Sequence, residues 1–390
     1  MTPITANGDL EAFCDQLARQ PFIAVDTEFM RETTYWPMLC LVQAAGPGAA
    51  GVIDPLAEGL DLKPFLQLMA DPKIGKVFHA GRQDVEIFNN LGVIPKPLFD
   101  TQIAAMAAGF GEQIAYDALV RQMLRIDIDK SSRFTDWSRR PLSQAQLDYA
   151  LADVVHLADL YPKLHARLER DGRLAWVEQE MADLVDPAIY DLTPENAWKR
   201  LKPRRHTAKY LVVFRAIAAW RERAAQQRDQ PRGRIIKDEA IDEIATQTPT
   251  DVEALGRLRS LSKGFAGSRF ATELLTTVRD ALADPQIHEP MPEKPRTAAP
   301  PQGAGAIVEL LKVLLKARAE ETGVASKLIA TVADLEKIAI DDDADTQALQ
   351  GWRFEAFGAD ALRVKRGELA LVLDGGRVRS VEVRRGPKGS

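Results

Sequence analysis

The sequence predicts an α/β domain around one mixed sheet, followed by an all-helical unit and a smaller C-terminal unit. Three observations predict it. Apolar, β-rich runs at residues 22–29, 38–45 and 51–55 are joined by short connections. Strand and helix patterns then alternate as far as about residue 109. From about residue 193 no strand pattern survives until the last thirty residues. A chain of 390 residues is also too long for one small core, and two or three domains are expected.

The elements follow in order. In DLEAFCDQLAR (9–19), Leu10, Phe13, Cys14 and Leu17 recur at helical spacing. FIAVDTEF (22–29) reads as a buried strand, and MLCLVQAA (38–45) and GVIDP (51–55) continue it as an antiparallel meander through the turn GPGAAG. LKPFLQLMA (62–70) reads as a helix, and GKVFHAG (75–81) as a strand. Residues 82–91 form a helix whose Val85, Ile87, Phe88 and Leu91 are apolar. PLFD ends a short strand, and Asp100 is placed to cap the helix TQIAAMAAG. A long helical pattern runs from Ser143, a plausible cap, to about Glu169, and Pro162 is expected to kink or split it. These elements assign residues 1–192 to the α/β domain.

TPENAWKRLKP, AKYLVVFRAIAAWRERAAQQR, KDEAIDEIATQ, DVEALGRL and SRFATELLTTVRDAL read as successive short helices, giving a helical unit over 193–284. Residues 285–303 hold six prolines, which is linker composition. Beyond it, AIVELLKVLLKARAEETG is an amphipathic helix, and ELALVLDGGRVRSVEV reads as a hairpin around Asp374-Gly375-Gly376. The third unit is therefore 304–385.

Composition excludes several classes. Hydrophobic residues at 46% and charged residues at 27% argue against wholesale disorder. Two cysteines, Cys14 and Cys40, cannot build a disulfide framework and suit a reducing cytoplasm. No secretory leader or membrane span is expected. There is no G-x-x-x-x-G-K-[ST] loop, so an ATP-driven motor is excluded. The net charge of −5 hides an asymmetry. Residues 1–180 carry 17 Lys and Arg against 25 Asp and Glu, whereas 199–237 carry 13 against only Glu222 and Asp229. An acidic half suits metal; a basic block suits a polyanion or is simply a solvated face.

Chemistry concentrates in three places. Asp26 and Glu28 stand two apart in a strand, so both point to one face amid apolar neighbours. Such a pair either faces water at a strand edge or is neutralised by a divalent cation. Asp84 falls in the first turn of a helix, after His79 at the end of an apolar strand. Tyr149 and Asp153 are four apart and share a helical face, with Ala150, Leu151 and Ala152 between them.

The order D-T-E, then H-A-G-x-x-D, then Y-x-x-x-D resembles the DEDD exonuclease superfamily in its tyrosine-containing subgroup. The stretch SSRFTDWSRRPLSQAQLDYALADV (131–154) is similar to the bacterial ribonuclease D family. Residues 200–285 resemble an HRDC domain, and 304 onwards a second, HRDC-like one. The resemblance implies a ribonuclease H-like fold and a 3′-to-5′ exoribonuclease releasing nucleoside 5′-monophosphates, with RNA 3′ ends such as tRNA precursors as partners. It implies two divalent cations, Mg²⁺ or Mn²⁺, which oxygen-only ligands suit. Asp26 would bridge both ions, Glu28 and Asp153 would complete one, and Asp84 would hold the other. Tyr149 would orient the attacking water, since a phenol with an ordinary pKa of about 10 is a poor base at neutral pH. Phe29, Met30 and Tyr35 follow D-T-E and are candidates for stacking on bases. His79, and Arg133 and Trp137 within the basic-aromatic segment 130–140, complete the expected substrate contacts. A soluble, cytoplasmic monomer is expected. Two rivals remain at this point, a DNA-directed exonuclease of the same superfamily and an inactive RNA-binding adaptor.

Overall fold

The computed structural model describes residues 2–129, 132, 135–288 and 303–383. Helix α1 (Asn7–Leu17) precedes strands β1 (Phe22–Met30), β2 (Met38–Gly46) and β3 (Ala49–Ile53). Then come α2 (Lys63–Ala70), β4 (Gly75–Phe78), α3 (Arg82–Asn90), β5 (Leu98–Asp100) and α4 (Thr101–Ala107). The sheet order is β3-β2-β1-β4-β5. The first three strands form the expected antiparallel meander, and β4 and β5 extend β1 in parallel. Side chains alternate across β1: Ile23 and Val25 join one core with α1 and α3, while Phe22 and Ala24 join another on the opposite face.

That opposite face is covered by α6 (Gln144–Arg170), reached after α5 (Tyr116–Leu124). Ser143 caps α6 through a reciprocal capping box with Gln146. Pro162 does not split the helix. Pro162 itself lies on the exposed side of the helix. Helices α5 and α7 (Leu174–Leu184) carry no strong signal in the sequence, and both pack against α6.

The helical unit contains α8 (Ala208–Arg228), α9 (Arg232–Ile235), α10 (Asp238–Gln247), α11 (Val252–Gly256) and α12 (Arg269–Ala283). TPENAWKRLKP, expected as an ordinary helix, is 3₁₀ over Pro194–Arg200. The core of this unit also includes Tyr35, from the connection between β1 and β2. C-terminal to it are α13 (Ala304–Thr322) and a hairpin of β6 (Leu369–Asp374) and β7 (Arg377–Glu382). The hairpin turn uses Gly375 and Gly376, both at positive φ, as a two-residue turn requires. Most of the expected linker, 289–302, lies outside the described residues. Leu311, Leu314, Leu335 and Ile338 share one continuous core with Leu160, Leu164 and Val177. Trp176 stacks on Trp352 at 4.5 Å and 4°, fixing the C-terminal region to α7.

Candidate active site

The site begins with β1. Asp26 and Glu28 face α6, and Asp153 projects from α6 towards them. Among the described residues these three carboxylates offer oxygens that all lie within 4.8 Å of one another. Asp153 is buried, and Asp26 and Glu28 are half-buried. Three carboxylates this close and this dry repel one another unless a cation joins them. Tyr149, one turn earlier in α6, lines the same cavity of about 600 Å³ as Asp26, His79, Tyr116 and Asp153.

Asp84 enters from the other side of the sheet. It occupies the first turn of α3 and is buried. The Thr27 hydroxyl donates to its carboxylate at 2.5 Å. The middle residue of D-T-E, which sequence reasoning passed over as a spacer, therefore ties the fourth acid to the strand bearing the first two. Burial pushes the Asp26 carboxyl up to about 6. Asp84 is raised well above the usual carboxylate range, by burial first and by the charge of Asp26 second.

Both shifts are upward, so the folded state holds these protons more tightly than the unfolded chain. For Asp26 the stabilising contribution is full below about pH 4 and is lost as pH rises through about 6; that of Asp84 has the same sign. The melting temperature of the metal-free protein is accordingly expected to receive a falling contribution from about pH 4 to pH 7. Excess Mg²⁺ should flatten it. Calorimetry on the Asp26→Asn variant isolates the contribution, and a slope identical to wild type would contradict it.

The approach to α3 is built by Asp100. Its carboxylate accepts from the amides of Ala80 and Gly81 at 3.1 and 2.8 Å, and from Gln102 at 2.8 Å as the expected cap of α4. This pulls the chain out of β4 after Phe78, so His79 to Gly81 form a turn and not the end of the expected strand. Ala80 sits at φ 56°, and a Cβ on Gly81 would meet Phe78 at 2.5 Å. Only glycine fits there.

The other expected contacts divide. His79 lines the cavity, but both ring nitrogens are engaged. Nε2 lies 3.2 Å from the Ile114 carbonyl, which only accepts, so this nitrogen carries the proton. Nδ1 lies 3.0 Å from Thr101 Oγ1, whose single hydroxyl proton also faces the Phe78 carbonyl at 3.0 Å. Burial lowers the His79 pKa and keeps the ring neutral. His79 thus braces the segment leading to α5, where Tyr116 donates to the Asp153 carbonyl; sequence reasoning missed Tyr116. Phe29 and Met30 are half-buried just beyond a register shift in β1.

Trp137 corrects the expectation of a stacking surface. It is 3% exposed, packed with Leu41, Val52 and Leu147, and its ring lies 6.2 Å from that of Tyr149. It backs the tyrosine and offers no face to a strand. Arg140 anchors this segment, gripping Asp54 at 2.6 and 2.7 Å and the Cys40 carbonyl at 2.7 Å. Tyr35 is likewise no base platform. It is 4% exposed and donates to buried Glu222, with Arg232 stacked 4.6 Å from its ring. Arg133, Lys130 and Phe134 lie outside the described residues.

The basic block is also more internal than its composition implies. Arg200 and Arg232 pair with Glu222, Arg221 with Asp238, Arg223 with Glu195, and Arg228 with Glu273. Arg215 stacks over Trp198 at 4.3 Å. Lys199, Lys202, Arg205 and Lys209 are exposed and outside these pairs.

Comparison with known proteins agrees with this geometry. A family model described as 3′-5′ exonuclease matches residues 1–169, and one for the HRDC domain matches 211–278. The chain is 51% identical to ribonuclease D of Nitrobacter hamburgensis, over 98% of this chain and 100% of the relative. It is 50% identical to ribonuclease D of Granulibacter bethesdensis, over 97% and 96%. The structure of Escherichia coli RNase D, described as an exoribonuclease involved in structured RNA processing, superposes with a TM-score of 0.79. That match has 29% identity and covers 94% of this chain and 99% of that one. The catalytic core of RRP6 from Trypanosoma brucei gives a TM-score of 0.51 at 26% identity, covering 72% and 79%. With half of its residues shared along nearly the whole length of such relatives, the chain belongs to the ribonuclease D family and is a 3′–5′ exoribonuclease.

Proposed function

We propose that Asp26, Glu28, Asp84 and Asp153 hold two divalent cations, Mg²⁺ or Mn²⁺, and that Tyr149 orients the attacking water. The convergence of Asp26, Glu28 and Asp153 within 4.8 Å carries the reading. Hard oxygen donors without cysteine or clustered histidine suit these metals. Bound there, the cations supply a nucleophile at neutral pH and neutralise charge building on the phosphate. The chain's own residues do the rest. Thr27 fixes Asp84, Tyr116 holds the turn of α6 bearing Asp153, and Trp137 backs the ring of Tyr149. His79, already bonded at both nitrogens, shapes the cavity wall without moving a proton.

The substrate proposed is the 3′ end of structured RNA, tRNA precursors above all, cut to nucleoside 5′-monophosphates in the cytoplasm. Residues 1–192 form the exonuclease unit, 193–284 the HRDC unit, and 304–385 a second HRDC-like unit whose core is continuous with that of the exonuclease unit. Two free, buried cysteines fit a reducing compartment, and no described helix is long and apolar enough to cross a membrane. Competition between a tRNA precursor with a 3′ trailer, an unstructured RNA and a DNA of equal length tests the substrate. Preferential shortening of the precursor trailer is expected; equal cutting of DNA would contradict it.

The exposed lysines and arginine near the start of the HRDC unit are proposed to track phosphates. Replacing Lys199, Lys202, Arg205 and Lys209 together by Gln should raise KM several-fold and leave kcat unchanged. The log–log salt slope should fall by about 0.7 per lost phosphate contact. An unchanged KM and slope would remove these residues from the RNA path.

A further inference from the structure

Gln43 has no role in the site as described, yet it adjoins it. In the antiparallel register of β1 and β2, Asp26 stands directly opposite Gln43, and Glu28 opposite Leu41. Residues directly opposite in such a pair project to the same face of the sheet. The Gln43 side chain therefore stands beside Asp26, on the face that α6 covers. On its other flank Gln43 opposes Val52 of β3. Leu41, Val52, Leu147 and Ala150 form an apolar wall on this face.

Gln43 is 0% exposed. Neither its Nε2 nor its Oε1 has a hydrogen-bond partner among the described residues. A buried amide left in this state destabilises the fold, since each unsatisfied group has lost its water without gaining a partner. A leucine or methionine of similar volume would fill the space without that cost. The amide is thus a liability to the metal-free fold, set one strand away from the carboxylate at the centre of the acidic group. Carboxylates that ligate metals are themselves held by hydrogen bonds, and losing such a partner costs about 10–100-fold in affinity or activity.

We propose that Gln43 is a positioning residue for Asp26: in the metal-loaded enzyme its amide N–H donates to the Asp26 carboxylate, directly or across one enclosed water, and fixes which oxygens face the cavity. This rests on the reading of Asp26 as a metal ligand.

The test compares wild type, Asp26→Asn, Gln43→Leu and, as a second packing replacement, Gln43→Met. Mn²⁺ alone is titrated by calorimetry, thermal unfolding is followed without metal, and kcat and KM are measured on RNA. The Gln43 variants should melt at or above the wild-type temperature, because the orphaned amide is gone. Their Mn²⁺ affinity should fall by about 10–100-fold. Their kcat should fall and partly recover at high Mn²⁺, with KM for RNA unchanged. Wild-type Mn²⁺ affinity in both Gln43 variants overturns the proposal and leaves the metal site standing. A lowered melting temperature with undisturbed Mn²⁺ affinity also overturns it, marking Gln43 as packing. If wild type itself binds no Mn²⁺, the reading of Asp26 fails first.

Discussion

Asp26→Asn is expected to lose turnover by about 10³-fold, the upper end of what one preorganised electrostatic group contributes, and to lose Mn²⁺ binding with it. Asp26 belongs to the trio with Glu28 and Asp153, and its charge also acts on Asp84, so it links both halves of the acidic group. The same substitution should raise the melting temperature of the metal-free protein at neutral pH. Burial already disfavours the Asp26 carboxylate, and a neutral amide avoids that cost. Lost activity with gained stability separates a metal ligand from a structural carboxylate. Single-turnover kinetics and calorimetry read both, and full activity in Asp26→Asn would end the assignment.

Tyr149→Phe is expected to lower kcat by about 10²-fold, the scale of one positioned proton-handling group, and to spare Mn²⁺ binding. The phenylalanine ring keeps the packing against Trp137, so the change removes only the hydroxyl. The tyrosine shares its helical face and its cavity with Asp153 but is not one of the clustered carboxylates. Single-turnover rates at saturating metal test this. A Tyr149→Phe enzyme that loses Mn²⁺ affinity, or one with wild-type kcat, would contradict the role.

Much of the site was legible because it is encoded locally. Two carboxylates two apart on a strand, and a tyrosine and an aspartate four apart on a helix, fix their shared faces by backbone period alone. The cap at Ser143 and the turn at Gly375-Gly376 are also local, and both elements stand where the pattern places them. What sequence could not supply is set by register and packing. Thr27 reads as a spacer until α3 brings Asp84 to it across the sheet. Gln43 and Tyr116 carry no motif, and each matters only through a residue distant in the chain. The aromatic residues misled for the same reason. Tyr35 and Trp137 follow exposed-looking, polar stretches, yet each fills a core assembled from another element. That part of the basic block is engaged in ion pairs was not legible either, because the partners Glu195, Asp238 and Glu273 lie outside the segment and fold back onto it.

The most direct test follows an RNA labelled at its 3′ end, incubated with the enzyme in Mg²⁺ and, separately, in excess chelator. A carboxylate group that works by gathering dications predicts label released as the nucleoside 5′-monophosphate in Mg²⁺, and none in chelator. Release that persists in chelator, or label leaving first in an oligonucleotide, would contradict it.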